Sequence, residues 1–480
     1  MKKRVQNILD RVTKRGVQFA DVRLTVTDSE NFAFERGSLK DYGLSQDNIS
    51  IGIRVLVGGV FGFAGTNDLS ERSIDAAISA AFRNAEESRR FRRSAIEFPA
   101  QKAVVGSRVI APKEDPFAMS YADKIGWFMP IVQGLTGGKR TIYSRFEAEF
   151  RRQYKIYANS EGTFVETTRW HVNPEMSVLA SDGNAVMSRT WPGMMAARAG
   201  GFEVMRDFAF PEHVETIIAE ADQLLDAPRI EEERADLIIG GSQLALQLHE
   251  SVGHATEADR IFGMEISYAG KTFVKPEHIG KLRYGSPQMT VVADSTDETG
   301  IGFNLTDDDG VPAKRATIIK EGLLVDLQTS RETAALLGLE PSSNMLAVHG
   351  SDIPLIRMNN LNLLPGKAGT LKDLIADTEK GYLIDLTKTW SIDDSRNNFQ
   401  FTTEIGWKIE QGKITGIVKE PTYYGITTEF WNSCDAVCSE SEWKYWGTFF
   451  CGKGEPGQAM QLSHKTAPAR FRNVVVNVKA

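Results

Sequence analysis

The chain has 480 residues, 41% hydrophobic and 25% charged, with 56 basic against 63 acidic residues and a net charge of −7. That length and composition describe a folded protein of roughly two or three domains with a sizeable core, and the acidic surplus argues against a general nucleic-acid binder. The apolar runs fall short of the ~18 residues of a membrane span, and no apolar stretch follows the basic start "MKKR", so neither a membrane anchor nor a signal peptide is expected.

In chain order, Val5, Ile8, Leu9 and Val12 mark one face of a first helix over about residues 1–16. "FADVRLTVTDSENFAFERGSLKDYGLSQDNISIGIRVLVGGVFGFAGTN" alternates like a meander of short strands with turns between them. "DLSERSIDAAISAAFRNAEES" predicts a helix capped by Ser70, with Glu71 in its first turn. The Pro-bearing, weakly periodic "FPAQKAVVGSRVIAPKEDPFAMS" reads as a linker or surface excursion. A helix over "SYADKIGWFMPIVQGLTGG", ended by Gly137 and Gly138, precedes strand-like alternation from Arg140 to about Met205. "PEHVETIIAEADQLLDA" predicts a helix with Pro211 near its start.

The main boundary is placed near "DAPRIEEERAD". It divides an N-terminal α+β region, residues 1–225 with sub-parts 1–100 and 115–225, from a β-rich domain, residues 226–480. The second half is mostly short strands, from "ADLIIGG" to "FRNVVVNVKA", with turn signals such as "EQGK". It predicts a curved antiparallel sheet or partly closed barrel carrying a few helices.

One of those helices holds "LALQLHESVGHATEADR", in which His249, Glu250 and His254 almost spell the zinc-peptidase signature H-E-x-x-H with one residue too many. At i and i+5 on a regular helix, the two imidazoles would stand about 140° apart and could not share an ion. A π turn brings them back to one face. Unwinding before His254 would serve as well, and Gly253 makes either distortion cheap. Glu250 stands beside a ligand candidate, where it could polarise a metal-bound water. Glu257, three residues past His254, could orient that ring.

A catalytic zinc ordinarily has three protein ligands. Cys451 in "FFCGKGEPGQ" is the candidate for the third, with His464 as the alternative. Against this stands the chance occurrence of so short a motif, in which case both histidines are surface or capping residues. The chain's other two cysteines, Cys434 and Cys438, are spaced C-x-x-x-C and fit buried free thiols as well as metal or redox work. An odd cysteine count and late clustering do not suggest a disulfide framework, so reduced thiols and a cytoplasmic setting are expected. His171, His213, His278 and His349 are expected to be structural or exposed. Asp307, Asp308 and Asp309 precede Gly310 but lack calcium-loop spacing, and are expected to form a solvated turn.

"LHESVGHATEAD" resembles the H-E-x-x-x-H segment of the TldD/PmbA family of metallopeptidases. "GIRVLVGGVFGFAGTNDLS", "TDDDGVPAKRATIIKEGLLVDLQTSRETAALLG" and "CGKGEPGQ" are similar to further elements of that family, so the resemblance covers most of the chain. It implies a two-part fold, zinc held by His249, His254 and Cys451, and Glu250 as general base. It also implies peptide or unfolded substrates reached in extended form, and a homodimer or a heterodimer with a PmbA-like partner enclosing the site. Neither nucleic acid nor membrane enters that expectation. The alternative function is a non-enzymatic partner or peptide-binding module in which the metal is structural or absent.

Overall fold

In the computed structural model, which describes residues 1–92, 94–268 and 270–477, the fold is α+β. The first helix, Lys2–Thr13, buries Val5, Ile8, Leu9 and Val12 against the strand Phe19–Glu35. That strand lies inside an eight-stranded sheet. The order runs Val60–Thr66, Ser38–Val57, Phe19–Glu35, Thr141–Asn159, Phe164–Ser181, Val105–Ile110, and Val186–Trp191 and Arg198–Ala199 also pair with Phe164–Ser181.

These strands are longer than the expected meander: Phe19–Glu35 has 17 residues and Ser38–Val57 has 20. The polar step "TDSEN" looks like a turn but is absorbed as a register shift between Thr27 and Ser29. Asp28 there accepts hydrogen bonds from Arg152 and the Asp47 backbone, so its polarity is satisfied within the sheet. The expected linker also contains structure. Val105–Ile110 pairs in parallel with Phe164–Ser181 at the sheet's edge, and its side chains stay largely exposed, which is why its periodicity is weak.

The helix Glu71–Ser88 starts at Ser70, whose hydroxyl accepts the Ser73 N–H at 3.3 Å. Tyr121–Gly134 and Phe210–Asp226 are the other two long helices of this half, and Pro211 lies in the first turn of the latter. They pack together over the second apolar cluster of the sheet, around Phe128, Phe146, Phe202 and Phe210.

Beyond residue 232 the centre is a closed five-stranded barrel. Lys380–Ile392, Glu233–Ile239, Ala469–Val476, Thr422–Ile426 and Asn398–Glu410 follow one another around it, and pairing of the last with the first closes the ring. One seam, between Lys380–Ile392 and Glu233–Ile239, is parallel, so the barrel is mixed rather than antiparallel throughout. The "EQGK" turn is present, with Gln411 and Gly412 both at positive φ. The expected last strand runs Ala469–Val476, and residues 478–480 of that stretch lie outside the described residues. No described helix is long and apolar enough to cross a membrane.

Asp307, Asp308 and Asp309 are not a solvated turn: all three are buried. Asp307 accepts the backbone N–H groups of Asp309, Val311 and Met345. Asp308 meets Lys155 at 2.6 Å, and Asp309 meets Arg54 at 2.8 Å. The turn is the peg by which the C-terminal half is pinned to the N-terminal sheet.

Candidate metal centre

The helix Gly241–Leu248 leaves the barrel directly after the strand Glu233–Ile239 and is buried along its whole length. A helix buried on all sides must place its polar side chains carefully. Asp385 caps it by accepting the Gln243 N–H at 2.9 Å. Gln243 donates to the Tyr423 hydroxyl, which donates to Gln247, which donates to Ser251.

At His249 the helix widens into a π turn that runs through Gly253, closed by the His254 N–H on the His249 carbonyl. A short 3-10 turn, His254–Thr256, follows. Carbonyls that a regular helix would satisfy are taken up by side chains. Gln328 donates to the Gly253 carbonyl at 2.7 Å, Thr256 to Val252 at 2.8 Å, and Tyr284 to Ser251. Gly253 has an ordinary helical φ of −54°, so conformational freedom is not why it is glycine. A Cβ there would lie 2.0 Å from the Met358 sulfur, and the requirement is space.

The π turn sets the rings of His249 and His254 perpendicular, centroids 4.7 Å apart. Cys451 arrives from the strand Lys444–Lys453, beside a register shift between Thr448 and Cys451. Its sulfur lies 3.4 Å from His249 Nε2 and 3.7 Å from His254 Nε2. Among the described residues, one donor atom from each of these three residues falls within 4.8 Å of the others. A tetrahedral zinc with Zn–S near 2.3 Å and Zn–N of 2.0–2.1 Å would separate sulfur from nitrogen by about 3.6 Å, so the residues present fit that ion.

Their protonation also suits a metal. Burial pushes His249 and His254 down to about 4, leaving both rings neutral with lone pairs to give. Burial alone would raise the Cys451 thiol, but nearby Arg357 and His254 outweigh it and hold the thiol below its usual value. His254 Nδ1 is 3.0 Å from Glu257 Oε2 and 3.0 Å from Arg260 Nη2. An ionised carboxylate can only accept, so the bond to Glu257, which Arg260 Nε also holds at 2.7 Å, puts the proton on Nδ1 and leaves the lone pair on Nε2. Glu257 is wholly buried and burial works to raise it, yet Lys453, His254 and Arg260 hold it well below the carboxylate range. The expected orienting role of Glu257 thus has a geometric basis.

Glu250 faces a cavity of about 520 Å³ that His249, His254 and Cys451 also line. Trp390 Nε1 donates to one of its oxygens at 3.1 Å and Arg396 Nη1 to the other at 2.8 Å. Sequence reasoning missed Trp390, Arg396, Arg357 and Lys453. The first three come from distant strands and loops that no local pattern marks, whereas Lys453 stands two residues past Cys451 in "CGKGEPGQ" and has no role assigned to it from sequence. His464 is not the third corner of the triangle. Its Nε2 is 2.8 Å from His249 Nδ1, behind that ring.

Cys434 and Cys438 are free and buried, and burial pushes both thiols up to about 12. His171 is buried beside Phe449, and His213 stacks on Trp191 at 3.6 Å.

Comparison with known proteins supplies the setting. A family model described as the PmbA/TldA metallopeptidase C-terminal domain matches residues 232–476, and the model for that family's domain 1 matches residues 20–85. A metalloprotease of Methanocaldococcus jannaschii is 26% identical over 438 residues, covering 91% of this chain and 92% of its own length. A protein of Saccharolobus solfataricus named a zinc metalloprotease TldD homolog is 26% identical over 233 residues, 48% of each chain. Among solved structures, a Thermotoga maritima protein described as a candidate modulator of DNA gyrase superposes with a TM-score of 0.77 at 16% identity. The match spans 99% of this chain and all of that one.

Proposed function

The chain belongs to the PmbA/TldD family of metallopeptidases, and from that premise we propose that it hydrolyses peptide bonds with zinc held by His249, His254 and Cys451 and with Glu250 as general base. The observation that carries the proposal is the donor triangle opening onto the same cavity as the Glu250 carboxylate. When bound, the ion supplies Lewis-acid activation of water and of the scissile carbonyl. Glu250 takes the proton of the attacking water and hands it to the leaving amine. Trp390 and Arg396 hold that carboxylate in place by one hydrogen bond to each oxygen.

Short or unfolded peptides are the substrates this arrangement supports. The cavity shares Met194 and Phe450 with a second one of about 600 Å³, floored by Asn31, Glu147, Glu149 and Glu175 of the N-terminal sheet. Two adjoining cavities of that size suit a peptide substrate. The strand Lys444–Lys453 pairs with Gln458–Thr466 on one edge and bridges Ala196 at Gly447 on the other, so a peptide would add only beyond that bridge, where Thr448, Phe450, Cys451 and Gly452 line the first cavity. A purely structural metal, the alternative, is not favoured by donors that open onto so large a space.

The same proposal places a second subunit, another copy or a PmbA-like partner, over the exposed Met264, Ile266, Tyr268 and Phe450 beside the cavity. It sets the protein in the cytoplasm and divides it near residue 226. The test is Glu250→Gln, assayed for zinc content and for cleavage of an unfolded peptide. Zinc should stay while the rate falls about 10²–10⁴-fold, and undiminished cleavage would remove Glu250 from the mechanism.

A further inference from the structure

We propose that His464 is the positioning residue of His249: through one hydrogen bond it fixes the tautomer of that ring, so that Nε2 rather than Nδ1 is the metal-binding nitrogen. The inference rests on the zinc centre proposed above, but its geometric premise stands without a metal.

The argument starts at a backbone oxygen. His464 Nδ1 lies 2.8 Å from the Leu361 carbonyl, which can only accept, so Nδ1 carries a proton. The ring is completely buried, and among the described residues no carboxylate is hydrogen-bonded to it, so nothing sustains a second proton. His464 Nε2 is then an acceptor. The atom opposite it, 2.8 Å away, is His249 Nδ1, which must donate. His249 is left with its lone pair on Nε2, the nitrogen that faces the Cys451 sulfur at 3.4 Å. One carbonyl thereby decides, two rings away, which nitrogen of His249 can bind a metal.

The carbonyl is itself held. Leu361 sits in the strand Leu361–Leu363, paired with Val291–Asp294. His464 sits in the strand Gln458–Thr466, paired with Lys444–Lys453. Asn360 and Asn362 lace the two strands together, accepting from the Ser463 hydroxyl and the Lys465 N–H at 2.8 Å each. The two ligand histidines therefore have unlike supports. His254 leans on a charged carboxylate, and His249 on a neutral imidazole and a peptide oxygen.

The experiment compares His464→Leu with His464→Gln, whose amide oxygen can reach the position of the lost Nε2. Zinc affinity is read by competition with a chromogenic chelator, and folding by thermal melts of the metal-free proteins. His464→Leu should bind zinc about 10–100-fold more weakly, and His464→Gln should recover most of that loss. Unchanged affinity in a folded His464→Leu protein overturns the inference, as does a loss that His464→Gln does not recover. Should either variant fail to fold, the tautomers are read directly in metal-free wild type by ¹⁵N–¹H correlation of histidine-labelled protein. A proton on His249 Nδ1 sustains the inference and a proton on Nε2 overturns it. If wild type binds no zinc, the zinc proposal fails, and the tautomer measurement still decides this one.

Discussion

Burial raises all three of the chain's thiols, but at Cys451 its neighbours outweigh it, and that difference is measurable. Cys434 and Cys438 are pushed up to about 12, chiefly by burial, whereas Arg357 and His254 hold Cys451 below its usual value. Thiolate is the reactive form, so iodoacetamide should label Cys451 first in the metal-free chain at pH 8, and added zinc should protect it. Mapping of the labelled peptides checks this; equal labelling at Cys434 would contradict it. The histidines carry a second prediction. Buried His249 and His254 sit at about 4, below the ~6.5 of an unfolded histidine. The unfolded state then binds more protons as pH falls between those values. Stability of the metal-free chain is full above about pH 6.5 and declines toward pH 4, by roughly 3 kcal/mol per ring at the limit. Urea midpoints from pH 7.5 to 4.5 should show a decline that is shallower in His254→Gln; an identical slope in the two proteins would rule out this account. At this scale the sequence marked His249, Glu250, His254, Glu257 and Cys451 by residue type and spacing. Trp390 and Arg396 were invisible because they reach Glu250 from 140 and 146 positions away.

At the scale of the element, the extra residue in the motif was legible as a choice between a π turn and unwinding, and the chain takes the π turn before continuing in a 3-10 turn. The reason for Gly253 was not legible, because it depends on Met358 approaching from elsewhere in the fold. Gly253→Ala should therefore cost about 1–3 kcal/mol by overpacking, and Met358→Ala in the same chain should recover part of it. Denaturant titrations of the two single variants and the double variant read the coupling. Strict additivity would mean that the two side chains do not compete for that space. The long strands of the N-terminal sheet were underestimated for a related reason. Asp28 reads locally as a turn residue, and only Arg152, far along the chain, makes it tolerable inside a strand.

The whole molecule is joined by charge buried between its halves. Arg54 donates to Asp21 at 2.6 Å within the N-terminal sheet and to Asp309 at 2.8 Å across from it, while Arg331 reaches from the C-terminal half to Glu161. Arg54→Met would leave two carboxylates buried without that partner and should destabilise the chain by about 3–5 kcal/mol. Chemical denaturation checks it, and a loss below 1 kcal/mol would show that the join carries little. The sequence pointed to a curved antiparallel sheet or a partly closed barrel; full closure, with one parallel seam, goes beyond it. Closure depends on Lys380–Ile392 pairing with two strands at once, one of them parallel and far away in sequence. All of this scaffold converges on three donor atoms, so the most direct measurement is the zinc content of purified wild type beside Cys451→Ser. The account predicts about one zinc per chain in the first and none in the second. No zinc in wild type supplied with the metal, or zinc that survives the loss of the sulfur, would contradict it.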